Sequence, residues 1–82
     1  MARKINTKSY NYRLGRNIAR IRTQQTGYSQ AEMEIYTGIS RAYYGRIELG
    51  LHSPTIDILQ KIANALNVPF LELFLDENNK PI

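Results

Sequence analysis

Two helix starts separated by a very short connection constrain the fold of this chain more than any other sequence feature. Ser29 is followed three residues later by Glu32, which is the spacing of a capping box in the first turn of a helix. Gly38 readily adopts the positive φ of a tight turn, so this helix is predicted to end just before it. Ser40 is then the N-cap of the next helix. A connection made of Gly38 and Ile39 alone is predicted to hold the two helices at a steep angle.

The segments on either side of this pair show the apolar spacing of amphipathic helices. A first helix is predicted from about Tyr12 to Gln25, because its apolar residues recur at helical spacing and Gly27 follows as a left-handed C-cap. Thr55 is predicted to cap a fourth helix, and Pro69 is predicted to begin a last, short one. The apolar residues of these helices are Leu14, Ile18, Ile21, Ile56, Leu59, Ile62, Ala63, Leu66, Phe70, Leu73 and Phe74. Five helices joined by short turns predict a compact all-α domain.

The chain is predicted to divide into three parts. Residues 1–11 form a flexible basic arm, residues 12–75 form the helical domain, and residues 76–82 form a polar tail that frays. A length of 82 residues suits one domain with a modest core.

Composition excludes several classes of protein. Without cysteine, neither a disulfide framework nor a cysteine-based zinc site can form, and with one histidine no metal or cofactor is expected. No apolar run approaches the roughly 20 residues of a membrane span, and the basic N-terminus lacks the apolar stretch of a signal peptide. A cytoplasmic protein without a membrane partner is therefore expected. An enzyme is not expected, because glycine-rich phosphate loops, metal-ligand clusters and nucleophile–base pairs are all missing from the sequence.

Charge is distributed unevenly along the chain, whose net charge is +4. Residues 1–46 carry nine Lys and Arg against two acidic residues, whereas residues 47–82 carry two against five. Such asymmetry is typical of a protein with one surface that meets a polyanion. A merely solvated basic N-terminus is the alternative.

Several short motifs occur in order along the chain. They are Ser29-Gln30-Ala31-Glu32-Met33, Thr37-Gly38-Ile39-Ser40, Ile47-Glu48-x-Gly50, Pro54-Thr55-Ile56 and Glu72-Leu73-Phe74. Together they closely resemble the Cro/cI-type (XRE-family) helix-turn-helix proteins, over about residues 14–75. The resemblance implies a five-helix lambda-repressor-like DNA-binding domain, with the helix-turn-helix motif at about 29–48. Within that family, residues 40–48 resemble restriction-modification controllers in particular.

In such proteins the second helix of the motif lies in the major groove, with its N-terminal residues against base edges. The resemblance therefore implies that Arg41, Ala42, Gly45 and Arg46 read bases, and helical spacing places these four on one side. An arginine can donate two hydrogen bonds to guanine O6 and N7, and the Ala42 methyl can contact a thymine methyl. A phosphate contact is the alternative for both arginines, and a solvated surface position is a further alternative for Arg41. Tyr44 is expected to point into the core.

Residues that flank this helix are expected to contact the DNA backbone. Serines at helix N-termini lie where free N–H groups favour an anion, and plain capping is compatible with that role. By this argument Ser29 and Ser40 are expected backbone contacts, and the resemblance implies the same role for Gln30, Tyr43, His52 and Ser53. The basic arm, with Arg3, Lys4 and Lys8, either follows the DNA or stays solvated.

Glu48 is out of place beside DNA, and the resemblance implies that it pairs with Arg22 to lock the recognition helix to the first helix. The sequence departs from the family pattern at two points. Glu34 stands where the family usually has alanine, which predicts altered packing of the second helix or a snorkelling side chain. The stretch from Arg22 to Gly27 is one residue longer than usual.

The resemblance implies a transcriptional regulator that binds a double-stranded DNA operator, with RNA polymerase as a further partner. Apolar residues near the C-terminus exceed the needs of a small core, which predicts a homodimer on a near-palindromic site; filling of the monomer core is the alternative. These residues are Phe70, Leu71, Leu73, Phe74 and Leu75. Autoregulation is expected for each of three roles, which are a phage or mobile-element repressor, a restriction-modification controller and an antitoxin. The alternative function is a protein-interaction module that binds a toxin or another regulator.

Overall fold

The computed structural model describes residues 4–82, which form four α-helices and one 3₁₀ helix. The α-helices are α1 (Tyr10–Ile21), α2 (Gln30–Thr37), α3 (Arg41–Glu48) and α4 (Ile56–Leu66), and the 3₁₀ helix spans Phe70–Phe74. The predicted all-α fold is confirmed, with the fifth helix reduced to a short 3₁₀ segment.

The first helix differs from its prediction at both ends. Its N-cap is Ser9, whose hydroxyl accepts a hydrogen bond from the Tyr12 amide at 3.1 Å, so α1 begins at Tyr10, inside the segment predicted to be a flexible arm. At the other end α1 continues into a π-helical turn, Arg22–Thr26, closed by the Gly27 amide donating to the Arg22 carbonyl at 2.9 Å. A π-turn holds one residue more than an α-turn, which accommodates the extra residue noted in this stretch.

The core forms where the helices meet. α1 packs against α3 and the 3₁₀ helix, and α2 packs against α3 and α4. The buried apolar residues of the core are Leu14, Ile18, Ile21, Met33, Ile39, Tyr44, Ile47, Leu59, Ile62, Ala63, Leu66 and Leu73. Ile56 was expected among them, but its side chain is 66% exposed because it is the first residue of α4 and precedes the turns that pack.

The C-terminal tail is folded back, so the expectation that it frays is wrong. Asp76 donates its amide to the Lys80 carbonyl at 2.7 Å, and the Ile82 amide donates to the Phe74 carbonyl at 3.1 Å. The buried Asn17 side chain on α1 donates to the carbonyl that ends the 3₁₀ region, Leu75, at 2.7 Å. The first bond closes a turn within the tail, and the bonds from Ile82 and Asn17 hold this C-terminal segment against the domain.

No helix in the described part of the chain combines the length and apolar character needed to cross a membrane. Within residues 4–82, histidine and acidic side chains also form no group of three or more that could hold a metal ion.

Candidate nucleic-acid interface

The pair formed by α2 and α3 has the local structure predicted from its caps. The Ser29 hydroxyl accepts from the Glu32 amide at 3.0 Å, and the Glu32 carboxylate accepts from the Ser29 amide at 3.0 Å, which completes the capping box. Gly38 ends α2 with φ of 75°, a value that favours glycine. Ser40 caps α3 by accepting from the Tyr43 amide at 3.2 Å. The short connection thereby places the N-terminus of α3 at the molecular surface.

One face of α3 is exposed and carries the four residues expected to read bases. Arg41, Ala42 and Arg46 are exposed, and Gly45 is half-buried. They line a shallow groove of about 480 Å³ together with Gln30 and Leu49. Within residues 4–82, neither Arg41 nor Arg46 forms an ion pair, so both guanidinium groups are available for a ligand.

The opposite face of α3 holds the helix in the domain. Tyr44 and Ile47 are fully buried, as expected for Tyr44. Burial beside the negative charge of Glu48 raises the pKa of Tyr44 well above its ordinary value, so its hydroxyl stays neutral. A Cβ atom at Gly15 of α1 would collide with the backbone carbonyls of Ile47 and Glu48. The end of α3 is therefore fixed by direct backbone contact with α1.

A buried carboxylate connects α3 to the two preceding segments. Glu48 is 1% exposed and accepts two hydrogen bonds from Arg22, at 2.7 Å to Oε2 and 3.0 Å to Oε1, so the ion pair implied by the resemblance is present. Gln30 Nε2 donates to the same Oε1 at 2.9 Å. Arg22 also donates to the Tyr28 carbonyl at 2.8 Å, and Arg16 donates to the Glu48 main-chain carbonyl at 3.1 Å. This network sets the position of α3 relative to α1 and α2.

The pKa of Glu48 results from opposing effects. Burial favours the neutral acid and raises the pKa, but hydrogen bonding from Arg22, with a smaller contribution from Gln30, lowers it below the ordinary range. The carboxylate is therefore ionised at neutral pH. The same hydrogen bonding raises the pKa of Arg22, against the effect of its burial.

The residues expected to contact the DNA backbone differ in exposure and in the hydrogen bonds that they already make. Ser29 and Ser40 are exposed, and their hydroxyls already cap helices. Gln30 is half-buried and directs its amide nitrogen at Glu48. The Tyr43 ring packs on His52 with ring centroids 4.8 Å apart, while His52 Nε2 is buried without a hydrogen-bond partner among residues 4–82. This ring contact joins the middle of α3 to the following loop, where Ser53 is exposed.

The remaining expectations concern the arm and α2. Lys4 and Lys8 are exposed, and Arg3 lies outside the described residues. Glu34 is exposed on α2 and faces solvent, so it does not come between α2 and α3.

The apolar residues expected at a dimer interface do not form one exposed set. Leu73 is fully buried in the monomer core, which makes its assignment to an interface wrong. Phe70, Phe74 and Leu75 are half-buried, and the two phenylalanine rings pack on each other at 5.4 Å. Leu71 is 70% exposed. The 3₁₀ helix thus points one residue inward and another to solvent.

Sequence reasoning missed three residues of α1 that hold other segments in place. They are Gly15, Arg16 and Asn17, which are consecutive on α1. A glycine within an otherwise helical pattern is a signal for close packing, and that signal was available for Gly15. The hydrogen bonds of Arg16 and Asn17 run to residues more than 30 positions away, which no local pattern reveals.

Comparison with known proteins identifies relatives by sequence. A model of the helix-turn-helix family HTH_3 matches residues 18–73. The HTH-type transcriptional regulator SutR of Escherichia coli (strain K12) is 49% identical over 47 residues, which are 57% of this chain and 26% of SutR. An uncharacterized HTH-type transcriptional regulator of Sinorhizobium fredii, y4dJ, is 35% identical over 68 residues, which are 83% of this chain and 87% of y4dJ. The chain therefore spans about a quarter of the first relative and most of the second.

Solved structures of similar proteins share the fold. The restriction-modification controller protein C.AhdI from Aeromonas hydrophila superposes with a TM-score of 0.75 at 30% identity, over 78% of this chain and 96% of that one. An HTH_3 family transcriptional regulator from Vibrio cholerae superposes with a TM-score of 0.74 at 34% identity, over 79% of this chain and 36% of that one.

Proposed function

Because this chain belongs to the helix-turn-helix family HTH_3, we propose that it is a transcriptional regulator that binds a specific double-stranded DNA operator through α3. Arg41 reads a base pair near the start of α3, and Arg46 contacts a base or a phosphate one turn later. The regulator acts as a homodimer and controls its own operon.

The observation that carries this proposal is the contrast between the two faces of α3. Tyr44, Ile47 and Glu48 are buried and fix the helix, whereas Arg41 and Arg46 are exposed and form no ion pair within residues 4–82. An arginine held on a rigid helix can present two parallel donors to guanine, and such a pair is the commonest specific contact in the major groove. A rigid helix with uncommitted guanidinium groups therefore supports base recognition.

The helix starts support a backbone clamp on either side of α3. α2 and α3 both begin at exposed serines, and the free N–H groups of a helix N-terminus attract phosphate. Two such ends flanking one groove would fix the register of α3 on the duplex without reading sequence.

The proposed dimer uses the exposed side of the 3₁₀ helix. Leu71 is the most exposed apolar residue there, and Phe70 and Phe74 lie beside it on the same short segment. A dimer doubles the DNA footprint, which is how small domains reach specific affinities of about 10⁻⁸–10⁻¹¹ M. Its two copies of α3 would meet half-sites about 34–36 Å apart on a near-palindromic operator. The likeness to a restriction-modification controller favours that role over a phage repressor or an antitoxin.

Selection from a random duplex DNA pool tests the function directly. We expect enrichment of a two-fold symmetric motif, with its half-sites one helical turn apart. Titration of the enriched duplex and a scrambled duplex at two salt concentrations then separates specific from purely electrostatic binding. Weak and equally salt-dependent binding to both duplexes would contradict the proposal and would favour a protein partner.

Substitution of the two arginines tests their separate roles. Arg41→Ala should raise Kd for the operator by about 5- to 160-fold, equivalent to about 1–3 kcal/mol, and should relax preference at one base pair. If Arg46 reads a base, Arg46→Ala should do the same at another base pair. If Arg46 contacts phosphate, the substitution should instead weaken binding equally for all sequences and lower the salt dependence of Kd. Lys61→Ala, which removes one exposed positive charge from α4, is the matched control. It should change neither Kd for the operator nor the preference at any base pair. An unchanged preference in Arg41→Ala would exclude Arg41 as a base-reading residue.

A further inference from the structure

The orientation of the Gln30 side-chain amide is set by its partner. Glu48 is buried, ionised and paired with Arg22, and a carboxylate can only accept hydrogen bonds. The group of Gln30 that faces it must therefore be the amide nitrogen, which donates to Glu48 Oε1 at 2.9 Å. An amide reversed end for end would place its oxygen against the carboxylate, with two acceptors in contact.

With its nitrogen held inside, Gln30 presents its carbonyl to the groove. Gln30 Oε1 lies 3.3 Å from the position that a Cβ atom at residue 45 would occupy, and glycine at that position places no side-chain atom there. Gln30 also lines the groove together with Arg41, Ala42 and Arg46. A fixed acceptor thus stands beside two arginine donors on the surface proposed to meet the bases.

The chemistry of an outward carbonyl does not suit a phosphate. Phosphate oxygens are acceptors, so they can meet Gln30 only through its second amide hydrogen and leave the carbonyl unused. In the major groove, donors are supplied by the exocyclic amino groups, N6 of adenine and N4 of cytosine. A carbonyl whose orientation is enforced from behind is suited to accept from one of them.

We propose that Gln30 is a specificity-determining residue whose carbonyl accepts a hydrogen bond from the exocyclic amino group of adenine or cytosine. This role replaces the backbone contact expected from the sequence. It rests on the proposed function, because it requires that α3 enters the major groove of an operator. Glu48 acts as the positioning residue for this contact, since it holds the amide in the required orientation.

Gln30→Met tests the proposal by removing both amide groups while keeping the length of the side chain. Preference at one base pair should fall by about 2- to 13-fold, the effect of one net hydrogen bond, while preferences at the other positions remain. Gln60→Met is the matched control, because Gln60 is an exposed helical glutamine on α4 that also bonds a neighbouring side chain, Asn64. It should leave every preference unchanged.

Base analogues test the same contact with the unmodified protein, independently of how the variant folds. At the affected position, adenine is replaced by purine, which lacks N6, or cytosine by pyrimidin-2-one, which lacks the N4 amino group. One of these two analogues should weaken binding of the wild-type protein by about 2- to 13-fold. The analogue that does so shows whether Gln30 contacts adenine or cytosine. The same analogue should cost Gln30→Met no more than it costs at an uncontacted position, which closes a double-mutant cycle.

Three results separate the possible failures. A uniform loss of affinity in Gln30→Met, with all base preferences retained, would overturn the base contact and leave the regulator intact. Analogues that weaken wild type and Gln30→Met equally would overturn it as well. If the wild-type protein enriches no sequence from the pool, the proposed function fails and this inference fails with it.

Discussion

Gly15→Ala perturbs the closest approach between α1 and α3. A Cβ atom at this position would lie 2.6 Å from the Glu48 carbonyl oxygen and still nearer to that of Ile47. Both obstacles are backbone atoms, so no side-chain rotation can relieve the collision. The two helices would have to separate, and the hydrogen bond from Arg16 to the Glu48 carbonyl would lengthen with them.

The size of the effect follows from two opposing contributions. Overpacking of a close contact costs about 1–3 kcal/mol, whereas alanine gains about 0.5–1 kcal/mol over glycine within a helix. Because backbone cannot yield as side chains do, the first contribution should dominate, with a net destabilisation of about 1–2 kcal/mol. For a domain of this size that corresponds to a fall in Tm of about 5–15 °C.

Thermal and urea denaturation followed by circular dichroism measure this change, with Gly45→Ala as the matched control. Both substitutions replace a helical glycine by alanine, but a Cβ at residue 45 meets only the side-chain amide of Gln30, at 3.3 Å, so a shift of a few tenths of an ångström in one side chain relieves the contact. Gly45→Ala should therefore be as stable as wild type or more stable, by up to about 1 kcal/mol. If Gly15→Ala proved as stable as Gly45→Ala, the argument that α1 and α3 meet through backbone would be refuted.

Further predictions concern the ion pair, the 3₁₀ helix and the tail. Folding lowers the pKa of Glu48 below its ordinary 4.5, so its contribution is complete above that pH and is lost as pH falls towards the folded pKa. Glu48→Gln should accordingly flatten the acid-side decline of unfolding free energy in urea titrations, and an equally steep decline would contradict this. Leu73→Ala should cost about 2–5 kcal/mol of stability. Leu71→Ala should change monomer stability by no more than about 0.5 kcal/mol but weaken self-association in sedimentation, and unchanged association would exclude this face. Asn17→Ala should accelerate hydrogen exchange of the Ile82 amide, whose unchanged protection would show that Asn17 does not hold the tail.

The parts of the fold that could be predicted from the sequence are those set by interactions between residues only a few positions apart. The caps at Ser29 and Ser40 and the left-handed glycine at residue 38 each act on a neighbouring turn, and all three are present. The face of α3 that carries Arg41 and Arg46 also follows from helical spacing once the cap is known. Local physical chemistry therefore gives both the α2–α3 pair and the exposed surface of its second helix.

The errors concern interactions between distant segments. Composition alone marked residues 76–82 as polar and free, but the Ile82 amide donates to the Phe74 carbonyl. Asn17 also bonds to the carbonyl of the preceding residue, Leu75, 58 positions away, and so ties the start of the tail to α1. Likewise Leu71 and Leu73 are equivalent by residue type, and only packing against α1 and α4 decides which of them is buried. The hydrogen bond from Gln30 to Glu48 likewise joins two helices, and no local pattern predicts it.

Glu48 has two partners of different importance, because Arg22 is needed for stability whereas Gln30 concerns recognition of DNA. Removing Arg22 would leave a buried carboxylate with only the Gln30 amide and, at 3.9 Å, Arg16 as partners. Breaking a buried ion pair in this way costs about 3–5 kcal/mol, so residues 22 and 48 are constrained together. Removing Gln30 would leave that carboxylate with both of its bonds to Arg22. Position 30 can therefore change what it presents to the groove at little cost to stability, as long as its side chain does not oppose the negative charge behind it. The same buried carboxylate thus stabilises the helix pair and limits which groups position 30 can direct towards DNA.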